Sequence, residues 1–183
     1  MKKLALALAV SGVLALGVPS APATAAIETY EAKMTAASAA AIAREDMYEA
    51  FGPEELRPGQ FLWRDVPCSA GEERVIISLT DQLAYLYRGD TLAAVATISS
   101  GAGGTPTPTG IFRVLEKKVM HRSRKYDDAP MPHMQRIDRF GIALHAGHNP
   151  GHPASHGCVR LPKQFAAKLF SVTGVGTPVL IGA

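Results

Sequence analysis

From residue 73 onward this chain alternates short apolar runs with turn residues, and that rhythm restricts it to a β-rich fold. Val75-Ile76-Ile77-Ser78-Leu79 is one run and Leu83–Arg88 the next, with Thr80-Asp81-Gln82 predicting a hairpin turn between them. Arg88-Gly89-Asp90 turns the chain into Leu92–Ile98. A loop of Gly, Thr and Pro follows at 101–110. Ile111–Leu115, Phe140–His145 and Pro178–Ile181 then read as further strands. One helix interrupts them. Pro162 suits a first helical turn, Lys163–Val172 follow, and Gly174 suits the position just past a helix end. The expectation for residues 73–183 is a mainly β, sandwich-like domain with one or two short helices.

The segment before it has a different character. Ile27, Tyr30, Met34, Ala37 and Ala41 recur at spacings of three and four, followed by Met47, Tyr48 and Phe51, which predicts a helix over 27–51 whose apolar stripe packs on the main domain or a partner. Alanine richness favours the same helix. Gly52, Pro53, Pro58, Gly59, Pro67 and Gly71 mark 52–72 as a linker or irregular loop, so 26–72 forms an N-terminal helix plus linker. Residues 1–25 carry Lys2 and Lys3, the apolar run Leu4–Val18 and the small residues Ala23-Thr24-Ala25, the anatomy of a cleaved export signal. The run is short for a membrane span, which needs about 20 apolar residues, so no stable membrane anchor is expected after signal removal. Export implies the periplasmic or other extracytoplasmic cell envelope. Losing residues 1–25 removes Lys2 and Lys3 and takes the formal net charge from +3 to +1, which gives no argument for a nucleic-acid partner. An oxidising compartment permits a Cys68–Cys158 disulfide, but two cysteines make a poor scaffold for a chain long enough to bury a core, and a free Cys158 is expected.

Chemistry concentrates at His145-Ala146-Gly147 and Ser155-His156-Gly157-Cys158-Val159-Arg160. A cysteine reacts as its thiolate, with a free pKa near about 8.5 that a neighbouring imidazole lowers. Attack on an amide carbonyl also needs donors for the oxyanion. Cys158 is the candidate nucleophile. Gly157 removes side-chain bulk beside it, and the N–H groups of Gly157 and Cys158 can face an oxyanion. His145 ends a strand, a rigid place for a base, and only the Ala146 backbone carbonyl is at hand to orient its ring. His156 also reaches Cys158 if the segment is extended, and spacing does not choose between the two histidines. The competing reading, a buried inert cysteine, is weakened by this setting. His145, His148, His152, His156 and Cys158 are all possible zinc ligands, but Gly147, Pro150, Gly151 and Pro153 oppose the helix that would align them, leaving only a loop to wrap a metal. No motif suggests a nucleotide, flavin or metal cofactor.

The His-Ala-Gly and Ser-His-Gly-Cys-Val-Arg blocks resemble the signature of the L,D-transpeptidase catalytic domain, the YkuD-like domain. The strand pair Val75–Arg88, the Gly101–Gly110 loop and the C-terminal strand are similar to that domain as well, so the resemblance covers about residues 73–183. It implies a β-sandwich-like fold with the cysteine in a groove, and an exported enzyme acting on peptidoglycan stem peptides. By resemblance, Cys158 attacks the carbonyl of the third, L-centred stem residue and expels terminal D-alanine, and the acyl group passes to an amine of another stem or an envelope protein. The resemblance makes His145 the base, oriented by Ala146; Ser155, His156 and Gly157 frame the cysteine, and Ser155 and Arg160 help hold substrate. The alternatives are an L,D-carboxypeptidase or other hydrolase using the same thiol, and a non-catalytic wall-binding module. Nine residues separate His145 from Ser155, a compact loop whose shape bears on the acyl acceptor. Met131-Pro132-His133-Met134 reads as core or loop packing, with a groove wall or lid as the other reading; Tyr126, Asp127 and Asp128 read as a solvated loop.

Overall fold

The computed structural model describes residues 26–53, 55–67 and 70–183; the expected export signal and Cys68 lie outside the described residues. The described chain runs β1 (Ala26–Ile27), α1 (Tyr30–Phe51), β2 (Phe61–Trp63), β3 (Glu73–Ser78), β4 (Leu83–Arg88), β5 (Thr91–Thr97), β6 (Gly110–Arg113), β7 (Glu116–Arg122), β8 (Pro130–Arg136), β9 (Ala143–Ala146), β10 (Val159–Leu161), α2 (Lys163–Val172) and β11 (Pro178–Gly182). Seven strands form one sheet in the order β1-β6-β11-β3-β4-β5-β2, and four form a second in the order β10-β9-β8-β7. The fold is mainly β, as the strand rhythm predicts.

Burial on both faces explains why β3, β4 and β5 read as continuous apolar runs rather than alternating ones. Val75, Ile77, Ala84 and Leu86 point inward to meet Leu144, Val159 and Leu161 of the second sheet and Phe165 and Leu169 of α2. Ile76, Tyr85, Tyr87 and Val95 point the other way and pack against Ala40, Ala43 and Met47 of α1. The larger sheet is thus the middle of three layers.

Three local expectations change. The stripe read on the N-terminal helix packs only at its C-terminal end, through Met47 and Phe51: Tyr30 is 77% and Met34 49% exposed, and the buried residues before Met47 are Ala32, Ala36, Ala40 and Ala43. The reason is a close backbone approach. A Cβ on Gly182 of β11 would lie 2.5 Å from the Ala36 carbonyl oxygen and 2.7 Å from the Ala37 Cα, so only the small-residue face of α1 can lie this close to the sheet. The segment read as linker contains β2, which pairs with β5, and its Phe61 and Trp63 rings stand 5.8 and 6.0 Å from the Phe165 ring of α2. Residues 126–128, read as a solvated loop, and 131–134, read as packing, belong to the β7–β8 hairpin of the second sheet, which spans 116–136.

Candidate active site

The second sheet brings the two signature blocks together. β10 runs parallel to β9, with Val159 opposite Leu144, Arg160 opposite His145 and Leu161 opposite Ala146. Cys158, the residue before β10, therefore stands at the level of Ala143, beside the strand that carries His145. Its thiol is free and half-buried. It lies 3.7 Å from the Gly141 carbonyl oxygen, the geometry of a weak S–H donor.

His145 is buried, 7% exposed, and its Nδ1 lies 2.9 Å from the Ala146 carbonyl oxygen. A carbonyl can only accept, so Nδ1 carries the proton and Nε2 is left as the basic nitrogen. Burial pushes the His145 pKa below the ordinary imidazole value; the Ala146 carbonyl opposes this, and the charges of Arg160 and His121 add to the lowering. Burial likewise pushes the Cys158 thiol up, opposed by the Ala143 backbone N–H and the Arg160 charge and reinforced by Asp138. Both directions lean toward a neutral thiol and a neutral imidazole.

The Ser155–Cys158 turn is held from within. Ser155 is 4% exposed, its Oγ donates to the Cys158 carbonyl, and the same oxygen accepts from the Gly157 N–H at 3.1 Å. The Ser155 hydroxyl, expected to help hold substrate, is thus bonded within the turn, and so is the Gly157 N–H, expected to face an oxyanion. Gly157 has a φ of 111°, a conformation that L side chains rarely adopt, so glycine is required before the cysteine for backbone reasons as well. Outside the turn runs a strap at 99–107. Ser99 and Arg160 exchange backbone bonds of 3.0 and 2.9 Å, and the Thr107 hydroxyl donates to the Gly157 carbonyl at 2.8 Å. Arg160 lays its stem along Gly147.

The model of the L,D-transpeptidase catalytic domain, YkuD, matches residues 72–181. The chain belongs to that family. Solved L,D-transpeptidases are similar to it in structure. One from Mycobacterium smegmatis is 22% identical, covering 61% of this chain and 59% of its own, with a TM-score of 0.57. One from Xylanimonas cellulosilytica is 28% identical, covering 65% and 64%, with a TM-score of 0.56. L,D-transpeptidase 3 from Mycobacterium tuberculosis, solved with a faropenem-derived adduct, is 20% identical, covering 61% and 60%, with a TM-score of 0.56. The match spans about three fifths of the length of these proteins. No curated protein matches the chain.

The other histidines of this L,D-transpeptidase-family domain are dispersed. His156 is exposed, and its ring stacks on Tyr126 at the tip of the β7–β8 hairpin, 4.2 Å between centroids and 13° from coplanar. The Tyr126 segment is therefore a neighbour of the cysteine loop rather than a free solvated loop. His148 and His152 are exposed, and the His152 Nδ1 sits 3.1 Å from the Pro153 carbonyl oxygen. Among the described residues, no three His, Cys, Asp or Glu side chains converge as a metal site would require.

Asp138 is the supporting residue that motif reading missed. It is 5% exposed, and its Oδ1 accepts from the backbone N–H groups of Phe140, Gly141 and Ile142 at 2.9, 2.8 and 2.8 Å. This turn explains why the strand expected from Phe140 starts at Ala143, and it fixes the Gly141 carbonyl that faces the thiol. The signal was present as Asp138-Arg139-Phe140-Gly141, an Asp starting a turn with Gly three residues on. Asp138→Asn keeps an oxygen acceptor for the turn and removes the charge that raises the thiol pKa. The midpoint of the pH–rate profile for Cys158 alkylation, read on the Cys158 peptide by mass spectrometry, is expected to move to lower pH. An unmoved or higher midpoint would show that the Asp138 charge does not act on the thiol.

Proposed function

We propose that this chain is an exported cysteine L,D-transpeptidase of the cell envelope, acting on peptidoglycan stem peptides. One observation carries the reading: the parallel β9–β10 pair holds the Cys158 thiol beside the strand of a histidine whose Nδ1 is tied to the Ala146 carbonyl and whose Nε2 is free to take a proton. The Cys158 sulfur attacks the carbonyl carbon at the L-centre of the third stem residue while its proton passes to His145 Nε2. The tetrahedral intermediate collapses by breaking the C–N bond to terminal D-alanine, whose amine leaves with the proton from His145. An acceptor amine then attacks the thioester and gives its proton to His145, which returns one to the sulfur. The Arg160 guanidinium forms no ion pair or hydrogen bond among the described residues and supplies a cation for a substrate carboxylate. The leader-like residues 1–25 support placement outside the cytoplasm.

The test is mass spectrometry of muropeptides incubated with the protein, with and without prior thiol alkylation. Cross-linked products with release of D-alanine, absent after alkylation, are expected. Trimmed stems alone would replace transfer by hydrolysis of the same thioester. An unchanged digest together with wall binding that survives alkylation would replace both by a non-catalytic binding module.

A further inference from the structure

The β3–β4 turn is remote in sequence from Cys158, yet one of its residues is bonded into the strap beneath the cysteine loop. Gln82 has a φ of 52°, in the left-handed region where a non-glycine residue is strained. Glycine would sit there without strain, so the backbone alone does not account for a glutamine. Its side chain does. Nε2 donates to the Leu79 carbonyl at 2.7 Å and to Ser100 Oγ at 2.8 Å, and Oε1 accepts from the Ser100 N–H at 3.0 Å. Both amide donors and the amide acceptor are engaged, two of the three bonds on Ser100 alone.

Ser100 faces the cysteine loop with its other end. It is 3% exposed, and its carbonyl accepts from two successive N–H groups, Ala154 at 3.0 Å and Ser155 at 2.9 Å. Ser155 then holds the Cys158 carbonyl and the Gly157 N–H through its hydroxyl. The peptide group that follows Ser100 sets where its carbonyl points, and Gln82 grips Ser100 at both its N–H and its hydroxyl. Rotating Ser100 would release Ala154 and Ser155 together. We propose that Gln82 is a positioning residue for Cys158, acting through Ser100 and Ser155 to fix the turn that aims the thiol. The proposal rests on the cysteine-enzyme reading for its effect on rate, whereas the relay itself is open to measurement without substrate.

Three variants of the full chain separate this role from a general structural one. Gln82→Gly removes the relay but relieves the left-handed backbone, so overall stability stays near wild type. Gln82→Met keeps side-chain length and flexibility without the bonds. Gln82→Glu keeps an acceptor for the Ser100 N–H and hydroxyl. Amide hydrogen exchange at Ser100, Ala154 and Ser155 is expected to speed up about tenfold or more in the Gly and Met variants, with the amides of β3, β4 and β5 unchanged. With muropeptide donors kcat is expected to fall about 10- to 100-fold at nearly constant KM, as a misaimed nucleophile requires. Gln82→Glu loses the bond to Leu79 but keeps the two to Ser100, and is expected to recover part of both. Unchanged exchange at these three amides would overturn the relay. So would faster exchange spread over the whole sheet with a matching loss of Tm. Wild-type kcat in Gln82→Gly would overturn the positioning role. Should the wild-type chain itself form no acyl-enzyme, the enzyme reading fails, while the exchange pattern still decides whether Gln82 holds the loop.

Discussion

Cys158→Ala is expected to lower acyl transfer by on the order of 10⁵-fold, to the level of the blank, because no other group in the site can form the thioester. The change should cost less than about 1 kcal/mol of stability. The thiol is half-buried, and its contacts are weak ones to the backbone, the 3.7 Å approach to the Gly141 carbonyl and the Ala143 N–H. The turn around it stays intact, since Ser155 holds the backbone carbonyl of residue 158 rather than its side chain. Urea unfolding should therefore superimpose on wild type while D-alanine release from muropeptide donors and acyl-enzyme formation, followed by intact mass, disappear. Retained turnover in this variant would refute the nucleophile assignment.

His145→Ala is expected to reduce kcat/KM about 10²- to 10⁴-fold, the usual contribution of a general base. The loss should be large here because burial works against ionisation of the thiol on its own. Burial raises its pKa and lowers that of the imidazole, so the proton must be taken from sulfur as the bond to carbon forms. The same directions fix a pH dependence. His145 acts as a base only when neutral, and its pKa lies below the ordinary value near 6.5. The acid limb of kcat/KM is therefore expected below about pH 6.5, and that limb should vanish in His145→Ala. An acid limb above this value would mean that His145 is not held below the ordinary imidazole value. His156→Ala is the control: its ring is exposed and lies on Tyr126, so a much smaller effect is expected, and a loss as severe as that of His145→Ala would move the base to His156.

What the sequence made legible follows from where burial is two-sided. β3, β4 and β5 are covered on both faces, and their unbroken apolar runs stood out against the turns between them. β7 is the edge strand of the smaller sheet and carries exposed Val119 and Met120 between charged neighbours, so no apolar alternation marks it. The packing face of α1 was misread because side-chain size suggested Tyr30 and Met34, whereas a bare glycine on the neighbouring strand selects the alanines. That the two signature blocks lie on neighbouring strands was legible because the blocks themselves carry the resemblance. Ser100, Thr107 and Gln82 were not, because their roles lie in hydrogen bonds between segments 18 to 55 residues apart, and single-residue chemistry does not announce such bonds.

The parallel β9–β10 pair has a consequence for how such a domain can diversify. Reacting groups placed by strand register are separated by a sheet spacing, not by the length of chain between them. Residues 147–158 leave the end of β9 and return to the start of β10, and the bonds from Ser100 grip this connection only from Ala154 onward, so the stretch before it can change with the strand register kept. Under the proposed reaction, a graft between 148 and 151 is expected to alter which amine reaches the thioester while the sheet keeps the register of His145 and Cys158.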